Sequence, residues 1–129
     1  MGRAIFDEKS VITTNLLVLP ASGTGAITLV GTDVNDRRID TILVSNRDGI
    51  AHVINLSLLV GAVVTQLGSV SVPAGQGYAG TPSIDLLAAV LPADQVGYPL
   101  VGGCQLHINM VVAVVATFDV SLSVIGGAM

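Results

Sequence analysis

The stretch AHVINLSLLV at residues 51–60 indicates the fold class, because apolar and polar side chains alternate along much of it. In an extended chain, the even-numbered residues from Ile54 to Leu58 share one face, and the odd-numbered residues from Val53 to Ser57 share the other. The first set is entirely aliphatic, whereas the second contains the polar residues Asn55 and Ser57. A period of two predicts a β-strand with one face in a core and the other towards solvent.

Six further segments have strand character, and turns rich in Gly, Pro, Asn and Asp separate many of them. The seven predicted strands span residues 11–19, 26–30, 38–45, 51–60, 63–72, 104–113 and 117–125. We expect the last two to form a C-terminal hairpin whose turn lies near residues 114–116. Seven strands with one apolar face each predict an all-β protein, an antiparallel, jelly-roll-like β-sandwich.

One segment departs from the period of two and has helical spacing. Its apolar residues between Ile84 and Leu91 recur at i, i+3, i+4 and i+7. Thr81 can cap such a helix, Pro82 fits its first position, and the next proline ends it. We therefore expect one short helix near residues 82–91, plugging an end or an edge of the sandwich.

Charge is distributed unevenly along the chain. Residues 1–9 are predicted to form an extended N-terminal arm, followed by a single β-sandwich domain at residues 10–129. The charged residues of the arm are Arg3, Asp7, Glu8 and Lys9. The 81 residues after Asp48 carry only three charges, all of them aspartates, whereas globular domains are about one quarter charged. We expect copies of the chain or other proteins to cover much of this surface.

The same composition argues against several classes of partner. A net charge of −4 and one adjacent basic pair, Arg37-Arg38, disfavour nucleic acid. The longest apolar run, residues 110–116, is far shorter than the ~20 residues of a membrane-spanning helix. Charges at residues 7–9 interrupt any apolar signal segment, and the lone Cys104 allows no intramolecular disulfide. We expect synthesis in a host cytoplasm and no membrane partner.

The titratable residues do not form a recognisable catalytic or metal-binding motif. His52 and His107 have no second histidine at ligand spacing, so we interpret His107 as a surface or interface residue and His52 as structural. Cys104 shares parity with the apolar residues of its strand and is expected to be buried. The glycine-rich segment 75–80 lacks the following Lys and the parallel sheet of a nucleotide site, so no cofactor is expected.

One group of carboxylates could in principle bind a hard cation. Its members are Asp33, Asp36, Asp40 and Asp48, with Asn35 and Asn46 nearby. Oxygen ligands of this kind suit Ca²⁺, but their spacing is not that of an EF-hand loop. Three arginines in the same segment compete for the carboxylates, so we interpret the group as turn residues and surface ion pairs rather than a metal site.

Several strand and turn motifs resemble small structural proteins of tailed bacteriophages. They are RIDTILVSNRD at 38–48, AHVI at 51–54, VPAG at 72–75, IDLL at 84–87 and the glycine pair at 126–127. The resemblance covers about residues 37–129. It implies a β-sandwich building block of a phage particle without indicating its place there.

Our leading hypothesis is a non-enzymatic virion protein that decorates or cements a capsid. It would form a homo-oligomer, with a trimer favoured, and bridge the major capsid protein or other virion proteins. The expected interface residues are Arg3, Phe6, Asp7, Glu8, Lys9, Arg37, Arg38, Tyr78 and Tyr98. A neck, tail or fibre-base component is the alternative of the same class. A carbohydrate-binding module is the alternative of another class, with Tyr78 and Tyr98 as its available aromatic residues.

Overall fold

Two antiparallel β-sheets pack against each other and enclose one hydrophobic core. The computed structural model describes residues 11–77, 81–92, 95 and 97–128. The predicted arm at residues 1–9 lies outside this part of the chain. The strands are β1 (Val11–Val18), β2 (Ile27–Val30), β3 (Arg37–Asn46), β4 (His52–Val60), β5 (Val63–Val72), β6 (Ile84–Asp85), β7 (Tyr98–Leu100), β8 (Cys104–Met110) and β9 (Val120–Ala128).

The first sheet has the strand order β1-β9-β3-β6, with β7 also pairing with β3, and the second has the order β2-β8-β4-β5. The all-β sandwich predicted from the sequence is thus confirmed. Each predicted strand is present, with ends within three residues of those expected. In β8 every second residue from Cys104 to Met110 is buried, which is the period-two pattern of a strand with one face in the core.

The predicted C-terminal hairpin is wrong, because β8 and β9 belong to different sheets. β8 lies between β2 and β4, whereas β9 lies between β1 and β3. Both strands carry one apolar face, so their sequence pattern fits either sheet equally well. The segment 111–119 is long enough to cross the roughly 10 Å between packed sheets, and it does so at one end of the sandwich.

The helix is shorter than predicted and begins later. It comprises α1 (Leu86–Val90), and its N-cap is Asp85, whose carboxylate accepts the N–H groups of Leu87 and Ala88. The hydroxyl of Thr81, the predicted cap, instead donates to the carbonyl of Gly75. Residues 84–85 pair with β3 as a short strand. Asp85 is the cap because it directly precedes the first turn, where its side-chain oxygen reaches the exposed N–H groups.

The helix covers part of one side of the sandwich, where it contacts β3 and β5. A Cβ atom on Gly68 of β5 would lie 2.7 Å from Cγ1 of Val90. This close approach requires a glycine and fixes α1 against the second half of β5. None of the helices in the described residues is long and apolar enough to cross a membrane.

Gly126 provides a test of the strand packing. A Cβ atom there would collide with the backbone carbonyl oxygen of Arg38 in β3, next to an irregularity in the β3–β9 pairing between Ile39 and Thr41. We expect Gly126→Ala to lower the free energy of unfolding by about 3 kcal/mol, measured by urea denaturation. Gly25→Ala is the control, because its Cβ meets nothing within 4 Å. Equal stability of both variants would contradict the close approach of β9 to β3.

Candidate functional site

A buried polar cluster lies where the β3–β4 turn meets two other connections of the chain. Asn46, Asp48 and His52 are 0%, 2% and 1% exposed, respectively. The turn forms locally because the side-chain oxygen of Asn46 accepts the backbone N–H of Asp48 at 2.9 Å, an Asx turn. Burying three polar side chains is costly unless they are hydrogen-bonded, so their partners define what the cluster does.

The side-chain amide of Asn46 joins the turn to the end of β5. It donates to the carbonyl oxygens of Ile50, Val72 and Pro73 at 3.0, 3.2 and 3.2 Å. The backbone N–H of Asn46 donates to the carbonyl of Gln76 at 2.7 Å. One residue therefore holds its own turn and the loop after β5 together, which no aliphatic side chain could do.

Asp48 joins the same turn to the segment that crosses between the sheets. Its Oδ2 accepts the backbone N–H of Val115 at 2.8 Å and lies 2.7 Å from Nε2 of His52. Burial raises the pKa of Asp48, but hydrogen bonds from Val115, His52 and the Gly49 N–H outweigh it, so the pKa is lowered overall. The carboxylate is thus ionised at neutral pH, and the imidazole donates from Nε2.

An imidazole held by a carboxylate is the arrangement of many general bases. Here, however, the His52 side chain is 0% exposed and the Asp48 side chain is 1% exposed, so neither side chain can contact a substrate in solution. The contacts of this pair are those of a structural element, as expected for His52 from the sequence.

An open pocket of about 260 Å³ lies beside this cluster, lined by Arg47, Thr117, Phe118 and Asp119. Nε of Arg47 is 3.3 Å from Oδ1 of Asp119. The backbone N–H of Arg47 also donates to the carbonyl oxygen of Asp119 at 3.0 Å. Two links between the same residues fix the polar side of the pocket, while Phe118 is 41% exposed and provides its aromatic group.

Thr117 has a φ of 73°, the only positive φ of a non-glycine residue in the described ranges. This conformation is strained for a β-branched side chain. Sequence reasoning placed residues 117–119 in a strand and did not identify the pocket. A TFD tripeptide after an apolar run gives no signal that the chain turns there.

The remaining acidic candidates are dispersed. Asp36 accepts the backbone N–H of Gly102 at 2.8 Å, and Asp40 pairs with Nε of Arg38 at 2.6 Å. Asp33 accepts a backbone N–H two residues further on. Across the residues that the structure describes, no group of three or more His, Cys, Asp or Glu side chains could hold a metal ion.

The predicted interface residues occupy different environments. Arg37 is only 7% exposed, and its guanidinium donates to the carbonyls of Gly31 and Cys104 at 3.0 and 3.3 Å. It therefore links the start of β3 to the residue after β2 and to the start of β8, and of the basic pair only Arg38 is exposed. Tyr98 is half-buried in β7, and burial raises its pKa. Arg3, Phe6, Asp7, Glu8, Lys9 and Tyr78 lie outside the described residues.

Two further predictions concern β8. Cys104 is buried, as expected. His107 is half-buried, with Nε2 at 2.9 Å from the side-chain oxygen of Gln105 and 3.4 Å from the hydroxyl of Thr28. The contact with Thr28 joins β8 to its neighbour β2 in the second sheet.

Comparison with protein-family models, with curated proteins and with solved structures finds no match to this chain. The resemblance to phage structural proteins therefore stays a prediction from the sequence motifs.

Asp48 predicts a pH dependence of stability. Because its folded-state pKa is lowered, its contribution is present above the unfolded value of about 3.9 and is lost as the pH falls through the folded value. We expect Asp48→Asn to be less stable than wild type at pH 7, and the difference to shrink in acid. Urea unfolding across this pH range measures it. Asp33→Asn, at an exposed loop position, is the control and should change the pH dependence of the free energy of unfolding less than Asp48→Asn does. Parallel curves for wild type and Asp48→Asn would contradict the assignment.

The strain at Thr117 predicts a stabilising substitution. Glycine adopts a positive φ without steric cost, so Thr117→Gly should raise the free energy of unfolding by about 1 kcal/mol despite the greater freedom of the unfolded chain. Thr24→Gly, at an exposed turn position without positive φ, should lower it. Thermal unfolding compares the two, and a loss of stability in both would mean that Thr117 is not strained.

Proposed function

We propose that this chain is a non-enzymatic structural protein of a tailed-phage particle, and that it decorates or cements a capsid as a homo-oligomer. The phage-like motifs between residues 38 and 127 support the virion role. The β-sandwich and the scarcity of charge after Asp48 support a subunit that buries its surface in an assembly.

The observation that best supports self-assembly is the outer strand β5. It lies at the edge of the second sheet, and its sequence VVTQLGSVSV contains neither a charged residue nor a proline. Monomeric proteins ordinarily protect such edges with charges, prolines, bulges or covering elements, because unpaired backbone groups can pair with another chain.

Only the second half of β5 has such protection. An irregularity in the pairing leaves Leu67 as an extra residue between the partners of Leu56 and Ser57, and α1 packs near Gly68. Residues 63–66 have neither. Val63 and Val64 are 66% and 62% exposed, and successive strand residues point to opposite faces of a sheet.

The turn beside these residues is also apolar. Val60, at the end of β4, is 50% exposed, and Gly61 turns the chain with a φ of 60°. A second copy can add the opposite edge strand of its second sheet, β2, to this edge by main-chain hydrogen bonds, and such a head-to-tail contact can close into a trimer or a larger ring. In this proposal the charged arm at residues 1–9 reaches the neighbouring capsid subunit. Arg38 and Tyr98 of this chain make further contacts with that subunit. A neck, tail or fibre-base role uses the same edge within a ring.

Lysines at residues 63 and 64 test this edge. We expect Val63→Lys/Val64→Lys to convert the assembled protein to a smaller species, because a charge on each face opposes strand addition. Val111→Lys/Val112→Lys is a matched control, since these valines are 54% and 53% exposed near the other end of β4. Light scattering on a sizing column gives the mass, and circular dichroism checks that both variants fold.

The wild-type mass also distinguishes the two virion roles. A trimer supports the capsid surface, and a ring of six or twelve subunits supports the neck or tail. A monomer at high concentration would contradict self-assembly, as would a control variant that dissociates while Val63→Lys/Val64→Lys remains assembled.

A further inference from the structure

We propose that the pocket formed by Arg47, Thr117, Phe118 and Asp119 binds one pyranose ring of a neutral sugar. It lies at the end of the sandwich where β4 begins, whereas the edge proposed for assembly lies beside the last residues of β4. The inference is therefore independent of the proposed function. It also differs from the sugar site expected from the sequence, which rested on Tyr78 and Tyr98.

The charges of the pocket favour a neutral, hydroxyl-rich ligand. Arg47 and Asp119 have opposite charges and lie 3.3 Å apart, so together they present no net charge. An anion would compete with Asp119 for the guanidinium, and a cation would compete with Arg47 for the carboxylate. Two adjacent sugar hydroxyls satisfy both groups at once, because each hydroxyl can donate to a carboxylate oxygen or accept from a guanidinium N–H.

The backbones of the two polar residues are held together before any ligand arrives. The Asp119 side chain is 23% exposed, and the backbone carbonyl of the same residue accepts the N–H of Arg47. The backbone that carries both residues is therefore in place, which favours affinity for a small ligand, while the Arg47 side chain, 52% exposed, can adjust to it. The carboxylate of Asp48, which holds the crossing segment at Val115, secures the loop that carries the pocket.

Phe118 supplies the apolar contact that a pyranose requires. Its side chain is 41% exposed and lines the pocket next to the charged pair. The C–H face of a sugar ring packs favourably on an aromatic ring, whose face carries partial negative charge. Because the chain contains only four aromatic residues, an exposed phenylalanine beside an arginine and an aspartate is an unusual combination here.

Size and strain agree with this assignment. A volume of about 260 Å³ is below the roughly 300–1,000 Å³ of pockets for drug-sized ligands, which suits one ring rather than an extended oligosaccharide. Strained residues such as Thr117 occur preferentially at ligand sites. In contrast, Tyr98 pairs with Ile39, near the opposite end of β3 from Arg47, and cannot contribute to this pocket.

The test uses the methyl glycosides of glucose, galactose, mannose and N-acetylglucosamine as probes, titrated into the isotope-labelled protein and followed by NMR. We expect at least one to shift the amide signals of residues 47 and 117–119. Phe118→Leu, which removes the aromatic face, and Asp119→Asn, which removes the charge, should each weaken binding about tenfold or more. Phe118→Tyr keeps the aromatic face and should retain binding. Ile125→Ala, an exposed apolar position on β9, is the control.

Each result bears on the proposal. No binding by any of the four glycosides would overturn it, and so would shifts located elsewhere on the protein. Stronger binding of glucuronate than of glucose would show that the pocket is an anion site and would overturn the neutral-sugar assignment. Val63→Lys/Val64→Lys should bind sugar like wild type, which separates failure of this inference from failure of the assembly proposal.

Discussion

The side-chain amide of Asn46 is the contact on which one end of the sandwich depends. It lies at the last residue of β3, and its three carbonyl partners belong to the β3–β4 turn, the end of β5 and the residue after β5. Backbone carbonyls at strand ends lose their ladder partners and need others. Asn46 provides these from a fully buried position, so a polar residue rather than an apolar one closes this end of the core.

Asp48 extends this arrangement to the segment between the sheets. By accepting the N–H of Val115 and pairing with the buried His52, it holds residues 111–119 against the turn. The consequence is a crossing segment with a defined path, ending at Thr117, Phe118 and Asp119. The polar cluster is thus closed to ligands itself but positions an open pocket beside it. The buried pair of Asp48 and His52 therefore holds the loop that carries the pocket and does not itself line the pocket.

The sequence predicted those features that depend on local pattern. Apolar segments bounded by turn residues predicted all seven main strands, and alternation placed residues such as Leu106 and Leu122 in the core. It did not determine which strands pair, because β8 and β9 have equivalent apolar faces and only the path of the crossing segment separates them. The two-residue β6 and the three-residue β7 are too short to show a period. Asp85 as helix cap was missed because Thr81-Pro82 is an equally good local start.

The pocket and the role of Arg37 could not be predicted from local sequence pattern for a different reason, because both depend on residues that are far apart in the sequence. Arg37 looks like a surface cation, yet β3 directs it inward to two carbonyls, contributed by residues 31 and 104. Such partners converge only in the folded chain. Likewise, Arg47 and Asp119 are far apart in sequence and meet because β3 and β9 are neighbours.

The two surfaces proposed here are separated along β4. Val53, whose carbonyl accepts the N–H of Val111, lies near the pocket end, and Val60 lies seven residues further on, about 23 Å away at the rise of a strand. Substitutions this far apart, without shared partners, have nearly independent effects. Under the two proposals, a subunit built in this way buries an uncharged edge against its neighbours while the opposite end, with its ion pair and exposed aromatic ring, remains open to a ligand. The proposed assembly and the proposed recognition are therefore separable by substitution, since neither end provides residues to the other.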